Sequence, residues 1–225
     1  NKLKFYIYFI INININMLKP YFYKDTIEVG VDEAGRGPLF GRVYVGAAIL
    51  PPGDEFDHSL MKDSKKFGKS KKGQKELFEA YEYIKENAIA WGVYWLSEDD
   101  IDEINIYKAT HKAWHKVIEN LNIVPENILV DGNKFFPYRH KGEIIPHVCI
   151  IGGDNKYSAI AAASIIAKVE RDNYIRDLCK ENPELTERYN IESNKGYGAK
   201  VHIDGIKKHG ISKWHRKTFG ICQNY

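Results

Sequence analysis

The chain has 225 residues, 44% of them hydrophobic, and a formal net charge of +3. That length and apolar content suit one large domain, or one domain with an appendage, with a proper core, and do not indicate disorder. Three widely spaced cysteines (Cys149, Cys179, Cys222), with no CxxC pair, exclude a disulfide frame or a cysteine zinc site and fit a reducing cytosol.

Residues 1–16, NKLKFYIYFIINININ, consist almost entirely of Asn, Lys, Ile, Tyr and Phe, and the first methionine is Met17. The apolar run is shorter than the roughly 20 residues of a membrane span, asparagine interrupts it, and no small-residue cleavage site follows. We expect an over-extended reading frame of an AT-rich genome, with Met17 the true start. An extra strand or a weak export signal is the alternative.

Residues 27–31 and 42–50 read as strands flanking the stretch VDEAGRGPLFG, and Pro51-Pro52-Gly53 ends the second. A helix is predicted over 70–90, with Leu77, Tyr81 and Ile84 on one face, then a strand over 91–96. Ser97 is a predicted N-cap, which gives the five acids of residues 98–103 a structural explanation in the first helical turn, so they are not read as a metal site. A helix over 108–121, strands over 127–130 and 147–152, and an alanine-rich helix over 157–181 follow. The remaining residues are expected to hold short helices and loops. The order of elements predicts an α/β fold with a mixed sheet.

Charge is unevenly placed. Residues 62–75 carry seven lysines against Asp63, and residues 194–219 carry seven Lys/Arg and three His against Asp204. Two such segments fit a basic surface facing a polyanion, although each is also what an ordinary solvated face looks like.

Three apolar strands end alike, in VGVDE, ILVDG and IIGGD. Sites in open α/β sheets form where strand ends meet, so Asp32, Asp131 and Asp154 are expected to converge there, with Glu33 one residue into the turn. Adjacent strand residues face opposite ways, so Asp32 and Glu33 are expected to share a site only if the chain leaves strand geometry between them. Gly35 and Gly37 make such a turn plausible. Crowded carboxylates repel unless a cation neutralises them, and oxygen donors suit Mg²⁺ or Mn²⁺. Two such ions about 4 Å apart are a device for phosphodiester cleavage. In the Gly35-Arg36-Gly37 turn, backbone amides can approach a ligand closely and reach a ribose hydroxyl, while arginine offers phosphate a fork of donors.

These stretches carry a resemblance. VDEAGRGPLFG (31–41), KDSKK (62–66), DIDEINIYKAT (100–110), VDGN (130–133), GDNKYSAIAAASIIAKVERD (153–172), NKGYGAKVH (194–202) and HRKTF (215–219) resemble, in the same order, the motifs of ribonuclease HII. The resemblance implies an RNase H-like fold, a mixed central sheet flanked by helices, with a small C-terminal helical region from about residue 185. It divides the chain into a tail, 1–25, and a catalytic domain, 26–225. It implies cleavage of the RNA strand in RNA–DNA hybrids and incision 5′ of single ribonucleotides embedded in duplex DNA, leaving 3′-hydroxyl and 5′-phosphate ends. Two Mg²⁺ or Mn²⁺ ions would be held by Asp32, Glu33, Asp131 and Asp154. Asp172 competes for the fourth place but is expected to make a salt bridge or a cap.

The resemblance further assigns Gly35, Arg36 and Gly37 to the turn that reads the 2′-hydroxyl and flanking phosphates. Tyr197 becomes the aromatic that stacks on a neighbouring sugar, and Lys65 a lysine near the scissile phosphate, with Lys66 a close competitor. Ser164 and Lys168 lie in the alanine-rich helix, where Lys168 is a further candidate for backbone contact. A monomer in the cytoplasm is expected, with no membrane partner. Phe40 and Arg42 depart from the family pattern, and Arg42 is expected either to add a phosphate contact or to face solvent. The glycine before Asp154, read as Gly153, takes the place of a common lysine, and Phe67 is a mild change. The rival on the same core, ribonuclease HIII, carries a sizeable N-terminal domain, whereas 31 residues precede Asp32 here.

Overall fold

The structure, a computed structural model, describes residues 17–53 and 55–225; the expectation for residues 1–16 lies outside them. Strand β1 (Glu28–Ala34) is central to a five-stranded sheet. It pairs antiparallel with β2 (Val43–Ile49), which pairs antiparallel with β3 (Ala90–Leu96). On its other side β1 runs parallel to β4 (Asn127–Asp131). A two-stranded hairpin, β5 (Arg139–His140) with β6 (Glu143–Ile144), was not foreseen. Strand β7 (His147–Ile150) then runs parallel to β4 and completes the mixed sheet, ordered β3-β2-β1-β4-β7. The parallel trio β1, β4, β7 brings Asp32 of β1, Asp131 at the end of β4 and Asp154 after β7 to one edge.

Seven helices among the described residues surround this sheet. Helix α1 (Lys71–Asn87) starts at Ser70, whose hydroxyl accepts from the Gly73 amide, and buries Leu77, Tyr81 and Ile84 as their spacing predicts. Helix α2 (Glu98–Ile104) has the capping box expected of Ser97, with Asp100 as its partner. Helix α3 (Ile106–Glu119) lays Ala109, Ala113, Trp114, Val117 and Ile118 on the face formed by Val29, Val31, Val43 and Val45.

Helix α4 (Ser158–Glu181) covers the opposite face. Its alanines allow backbone to lie on backbone. A Cβ on Gly30 would stand 2.2 Å from the carbonyl carbon of Ala159, and one on Gly46 would stand 2.2 Å from the carbonyl oxygen of Ala163. Helices α5 (Glu184–Tyr189), α6 (Ile191–Asn194) and α7 (Lys200–His209) share a separate core with Phe40, Ile175 and Cys222. Among the described residues no helix is long and apolar enough to cross a membrane.

Candidate active site

Register explains which acids meet. Val31 of β1 is paired with Val130 of β4, so Asp32 and Asp131 follow side by side. The pleat gives Val29 and Val31 to the α3 face and sends Gly30 to α4, and Asp32 continues the Gly30 row. Asp154 arrives from the 3-10 turn Gly153–Asn155 after β7. One carboxylate oxygen from each of Asp32, Asp131 and Asp154 lies within 4.8 Å of the others. Asp131 is held by the Gly153 amide, which donates to its Oδ1 at 2.7 Å, and Asp154 by the Asn155 side-chain amide at 3.0 Å.

Glu33 stands beside this group, not in it. The expected exit from strand geometry at Asp32 does not occur. The ladder continues through Glu33↔Val45 and Ala34↔Tyr44, and the turn begins only at Gly35, with φ of 94°. Glu33 therefore falls on the alternate row. Its Oε1 accepts from Arg36 at 3.1 Å, and its Oε2 is buried without a partner.

Charge crowding shows in the acidities. Burial first, then Glu33 and Asp131, raise the Asp32 carboxyl well above the usual range. Burial raises Glu33, with Asp131 adding to the rise and Arg36 and Lys65 opposing it. Burial, Asp131 and Asp63 raise Asp154, against Lys65 and Asn155. Carboxylates buried and crowded in this way repel one another and favour a cation among them. Oxygen-only donors this close, with Glu33 Oε2 and Asp172 Oδ1 beside them buried and unpartnered, fit a hard divalent cation.

Lys65 leans over the cluster from the 3-10 turn Ser64–Phe67, with Nζ 3.7 Å from Asp154 Oδ2. Burial alone would lower its pKa, but Asp63, Asp154, Asp32 and Asp131 together raise it. Among the described residues, Lys66 makes no such ion pair. Asp63 caps the Lys65 turn by accepting from its amide, and Asn155 donates to the same Asp63 carboxylate at 3.2 Å. The lysine turn is thereby tied to the Asp154 turn. Ser64 and Ser164 hydroxyls meet at 3.0 Å between α4 and this turn. Asp172 pairs with Lys168 one turn away on α4, as expected of a salt bridge.

The Gly35–Gly37 turn is moulded by two buried arginines. Arg216 donates from Nη2 to the Gly35 carbonyl (2.6 Å), from Nη1 to those of Arg36 (3.0 Å) and Pro38 (2.9 Å), and from Nε to that of Gly41 (2.8 Å). Arg171 donates to the carbonyls of Phe40, Arg42 and Lys195. In a trans peptide the N–H opposes the preceding C=O. With the Gly35 and Arg36 carbonyls turned onto Arg216, the amides of Arg36 and Gly37 point away from it. Gly35 has no substitute, since a Cβ there would lie 2.2 Å from Arg171 Nε. Burial and then Arg171 push the Arg216 guanidinium down to about 9, so it stays charged at neutral pH.

Tyr197 completes the far wall. The residue is 52% exposed, and a Cβ on Gly37 would stand 3.6 Å from its ring. Glu33, the glycine turn, Lys65, Ser164, Lys168, Asp172 and Tyr197 line one cleft of about 260 Å³. All nine sequence-predicted site residues thus lie at this edge of the sheet.

The departures resolve locally. Phe40 is fully buried, its ring edge-on to His215 at 5.1 Å between centroids. Arg42 stacks on Trp95 at 3.6 Å and Tyr174 at 4.5 Å, so its guanidinium lies against two aromatic faces and does not simply face solvent. Phe67 is buried under Lys62. Gly153 is the residue whose amide holds Asp131. The position directly before the Gly153-Asp154 pair is Gly152, at φ of 63°, and the reading of Gly153 as the replaced lysine is corrected accordingly.

Arg171, Arg216, Asp63, Asn155, His202 and His215 received no role from sequence. The signal available was their place inside the stretches KDSKK, GDNKYSAIAAASIIAKVERD, NKGYGAKVH and HRKTF. Asp102, from the acidic run, accepts from the amides of Lys217 and Thr218 and anchors the segment after Arg216.

A family profile described as Ribonuclease HII matches residues 29–222. The ribonuclease HII of Parabacteroides distasonis is 45% identical over 205 residues, 91% of this chain and 96% of that one. Among solved structures, the ribonuclease H2 of Pyrococcus horikoshii superposes with a TM-score of 0.65 at 22% identity, covering 88% of this chain and 95% of that one. The RNase HII of Archaeoglobus fulgidus, solved in a complex with PCNA, gives 0.62 at 24%, covering 87% and 96%. At those identities the two structures show the fold.

Proposed function

This chain belongs to the ribonuclease HII family and is a ribonuclease H hydrolase; on that footing we propose that it cleaves the RNA strand of RNA–DNA hybrids and incises 5′ of single ribonucleotides embedded in duplex DNA. The observation that carries this reading is a carboxylate cluster beside a cleft lined by Glu33, Lys65 and a glycine turn whose amides face away from their buried anchor. The first is suited to phosphodiester hydrolysis and the second to a sugar hydroxyl that DNA lacks.

Asp32, Asp131 and Asp154, with Glu33 through its unpartnered Oε2, are the residues that would hold two Mg²⁺ or Mn²⁺ ions. When bound, such ions activate water and stabilise the leaving oxygen. The chain's own residues do the rest. The amides of Arg36 and Gly37 hydrogen-bond the 2′-hydroxyl, and the half-exposed Arg36 guanidinium meets a flanking phosphate. Lys65 contributes positive charge beside Asp154, where the scissile phosphate approaches. Tyr197 offers its exposed ring to the neighbouring sugar. These contacts are to sugar and backbone, so no sequence preference is expected. The products carry 3′-hydroxyl and 5′-phosphate ends.

Residues 26–225 act as one catalytic unit, including the helical region from about 185. We read the enzyme as a monomer working in the cytoplasm, where its free thiols and its substrate class both belong.

The test is cleavage of a DNA duplex containing one ribonucleotide, with Mg²⁺, Mn²⁺ or EDTA, beside an all-DNA control. One metal-dependent cut 5′ of the ribonucleotide, with the control intact, is the expected result. Cleavage only of a longer hybrid would replace the reading with a ribonuclease HIII-like one, and cleavage of the control with that of a DNA nuclease.

A further inference from the structure

Two buried histidines connect the C-terminal segment to Tyr197, and their hydrogen bonds fix every proton. Trp214–Arg216 runs antiparallel to Leu39–Gly41, with the Arg216 amide donating to the Leu39 carbonyl and the Gly41 amide to that of Trp214 (both 2.9 Å). Successive side chains on such a stretch face opposite ways. Arg216 enters the glycine turn. His215 faces the other way, into a pocket bounded by Phe40 and Tyr189.

The Ser212 amide donates to His215 Nδ1 at 2.9 Å, so that nitrogen is an acceptor. A neutral imidazole then carries its hydrogen on Nε2. That Nε2 lies 3.0 Å from His202 Nε2, which must accept. The proton of His202 is thereby left on Nδ1, which donates to the Tyr197 carbonyl at 2.9 Å. Both rings are fully or almost fully buried. Burial and His202 push His215 down to about 3, and burial lowers His202, so both stay neutral at neutral pH. A charged His202 would set its Nε2–H against the His215 Nε2–H, and a charged His215 would set its Nδ1–H against the Ser212 amide.

The Tyr197 carbonyl also accepts from the Ala199 amide (2.8 Å), and its own amide donates to the Asn194 carbonyl (3.0 Å). The backbone under the exposed ring is therefore pinned from three sides. Of these three bonds, only the histidine link leads outside its own turn, to the dipeptide that also holds the Gly35–Gly37 turn; the peptide before Tyr197 has a second tie there, its Gly196 carbonyl accepting from the Leu39 amide at 2.9 Å.

We propose that His202 and His215 are positioning residues: they set the Tyr197 ring against the Gly35–Gly37 turn, and the His215-Arg216 dipeptide fixes the spacing between these two substrate-reading elements. The proposal rests on Tyr197 and the glycine turn both touching substrate. Neither histidine reaches the reacting atoms.

Two measurements decide it. The first is a long-range ¹⁵N–¹H correlation of the imidazoles in the whole enzyme at neutral pH, with ¹³C-labelled tyrosine rings followed in native protein and in His202→Phe. Protonation at His215 Nε2 and His202 Nδ1, and a displaced Tyr197 ring signal in the variant, are expected. The opposite tautomers or an unmoved ring would overturn the proposal, whatever Tyr197 does in catalysis.

The second is a double-mutant cycle of His202→Phe with Tyr197→Ala, read as kcat and KM on the single-ribonucleotide duplex for variants shown to be folded. Loss of one aromatic stack corresponds to about fivefold or more. His202→Phe should reproduce the Tyr197→Ala loss, and the double variant should be no worse than Tyr197→Ala alone. His202→Asn, whose amide can donate at the Nδ1 position, should recover most of the activity. Additive losses would overturn positioning in favour of a general folding role. If Tyr197→Ala leaves kcat and KM unchanged, the stacking role assigned to Tyr197 falls, while the ring signal still judges the histidine link.

Discussion

Replacing Asp131 with asparagine should make the metal-free protein more stable while removing its activity. Two unit charges 4.8 Å apart repel by about 3.5 kcal/mol at an effective dielectric constant of about 20, and Asp131 belongs to two such pairs. Proton uptake by Asp32 and Asp154, both shifted upward, caps the relief, so the gain should be roughly 2–3 kcal/mol. Asparagine retains a carbonyl oxygen for the Gly153 amide, so the hydrogen bond at 2.7 Å is not lost with the charge.

For a chain of this size, 1 kcal/mol moves Tm by about 2–4 °C, giving a rise of about 5–10 °C in EDTA by calorimetry. The native protein should gain about 2.7 kcal/mol at a Mg²⁺ concentration about 100 times its Kd, and the variant much less. The pH dependence carries the same sign. Carboxyls whose folded pKa is raised contribute stability that is present below the unfolded value, near pH 4, and lost as pH rises through the folded one. The native-minus-variant difference in EDTA should therefore grow more unfavourable from about pH 4 upward. A lower Tm for the variant in EDTA, or an equal response to Mg²⁺, would refute the charge-crowding argument.

Lys65→Ala should lower kcat on hybrid by about tenfold or more, with Lys66→Ala near native, since Lys65 alone of the two sits 3.7 Å from Asp154; equal effects in steady-state assays would reverse that choice. Arg42→Gln should cost about 1–2 kcal/mol in urea unfolding by losing its stacks on Trp95 and Tyr174. It should leave the salt dependence of hybrid binding unchanged, whereas a shallower slope would mean a phosphate contact. Gly30→Ala should destabilise by about 3 kcal/mol or more, because its methyl meets the Ala159 backbone at 2.2 Å; a folded variant with native Tm would contradict the strand–helix contact.

What could be read from sequence was what short-range pattern encodes. Acids at the ends of apolar runs, a capping serine at Ser97, and the buried face Leu77–Tyr81–Ile84 are all local, and each is found where expected. The position of Glu33 was not legible, because it depends on how far the β1–β2 ladder runs, and that is set by β2. Arg42 looked free for phosphate because Trp95 and Tyr174 are remote in sequence. The residues that mould the glycine turn lie farther still: Arg216 grips carbonyls up to 181 positions earlier in the chain. A buried arginine with backbone acceptors has the same local signature as a solvated one, and the basic segment 194–219 had been weighed only as a surface.

The two halves of the site are therefore built on different principles. The carboxylates sit where a parallel register delivers strand ends, and their placement follows from the sheet alone. The glycine turn has no ladder to hold it. It is shaped by a guanidinium with four carbonyl bonds, and the segment bearing that arginine is fixed in turn by Asp102 and by the Leu39–Gly41 bridge. Removing Arg216 would orphan buried carbonyls at about 1–3 kcal/mol each but leave Asp32, Asp131 and Asp154 on their strands. Damage to the C-terminal segment should accordingly erase discrimination for the 2′-hydroxyl before it erases metal binding. Metal-induced stabilisation measured beside ribonucleotide incision in Arg216→Met would separate the two, and simultaneous loss of both in a folded variant would show that the halves are not independent.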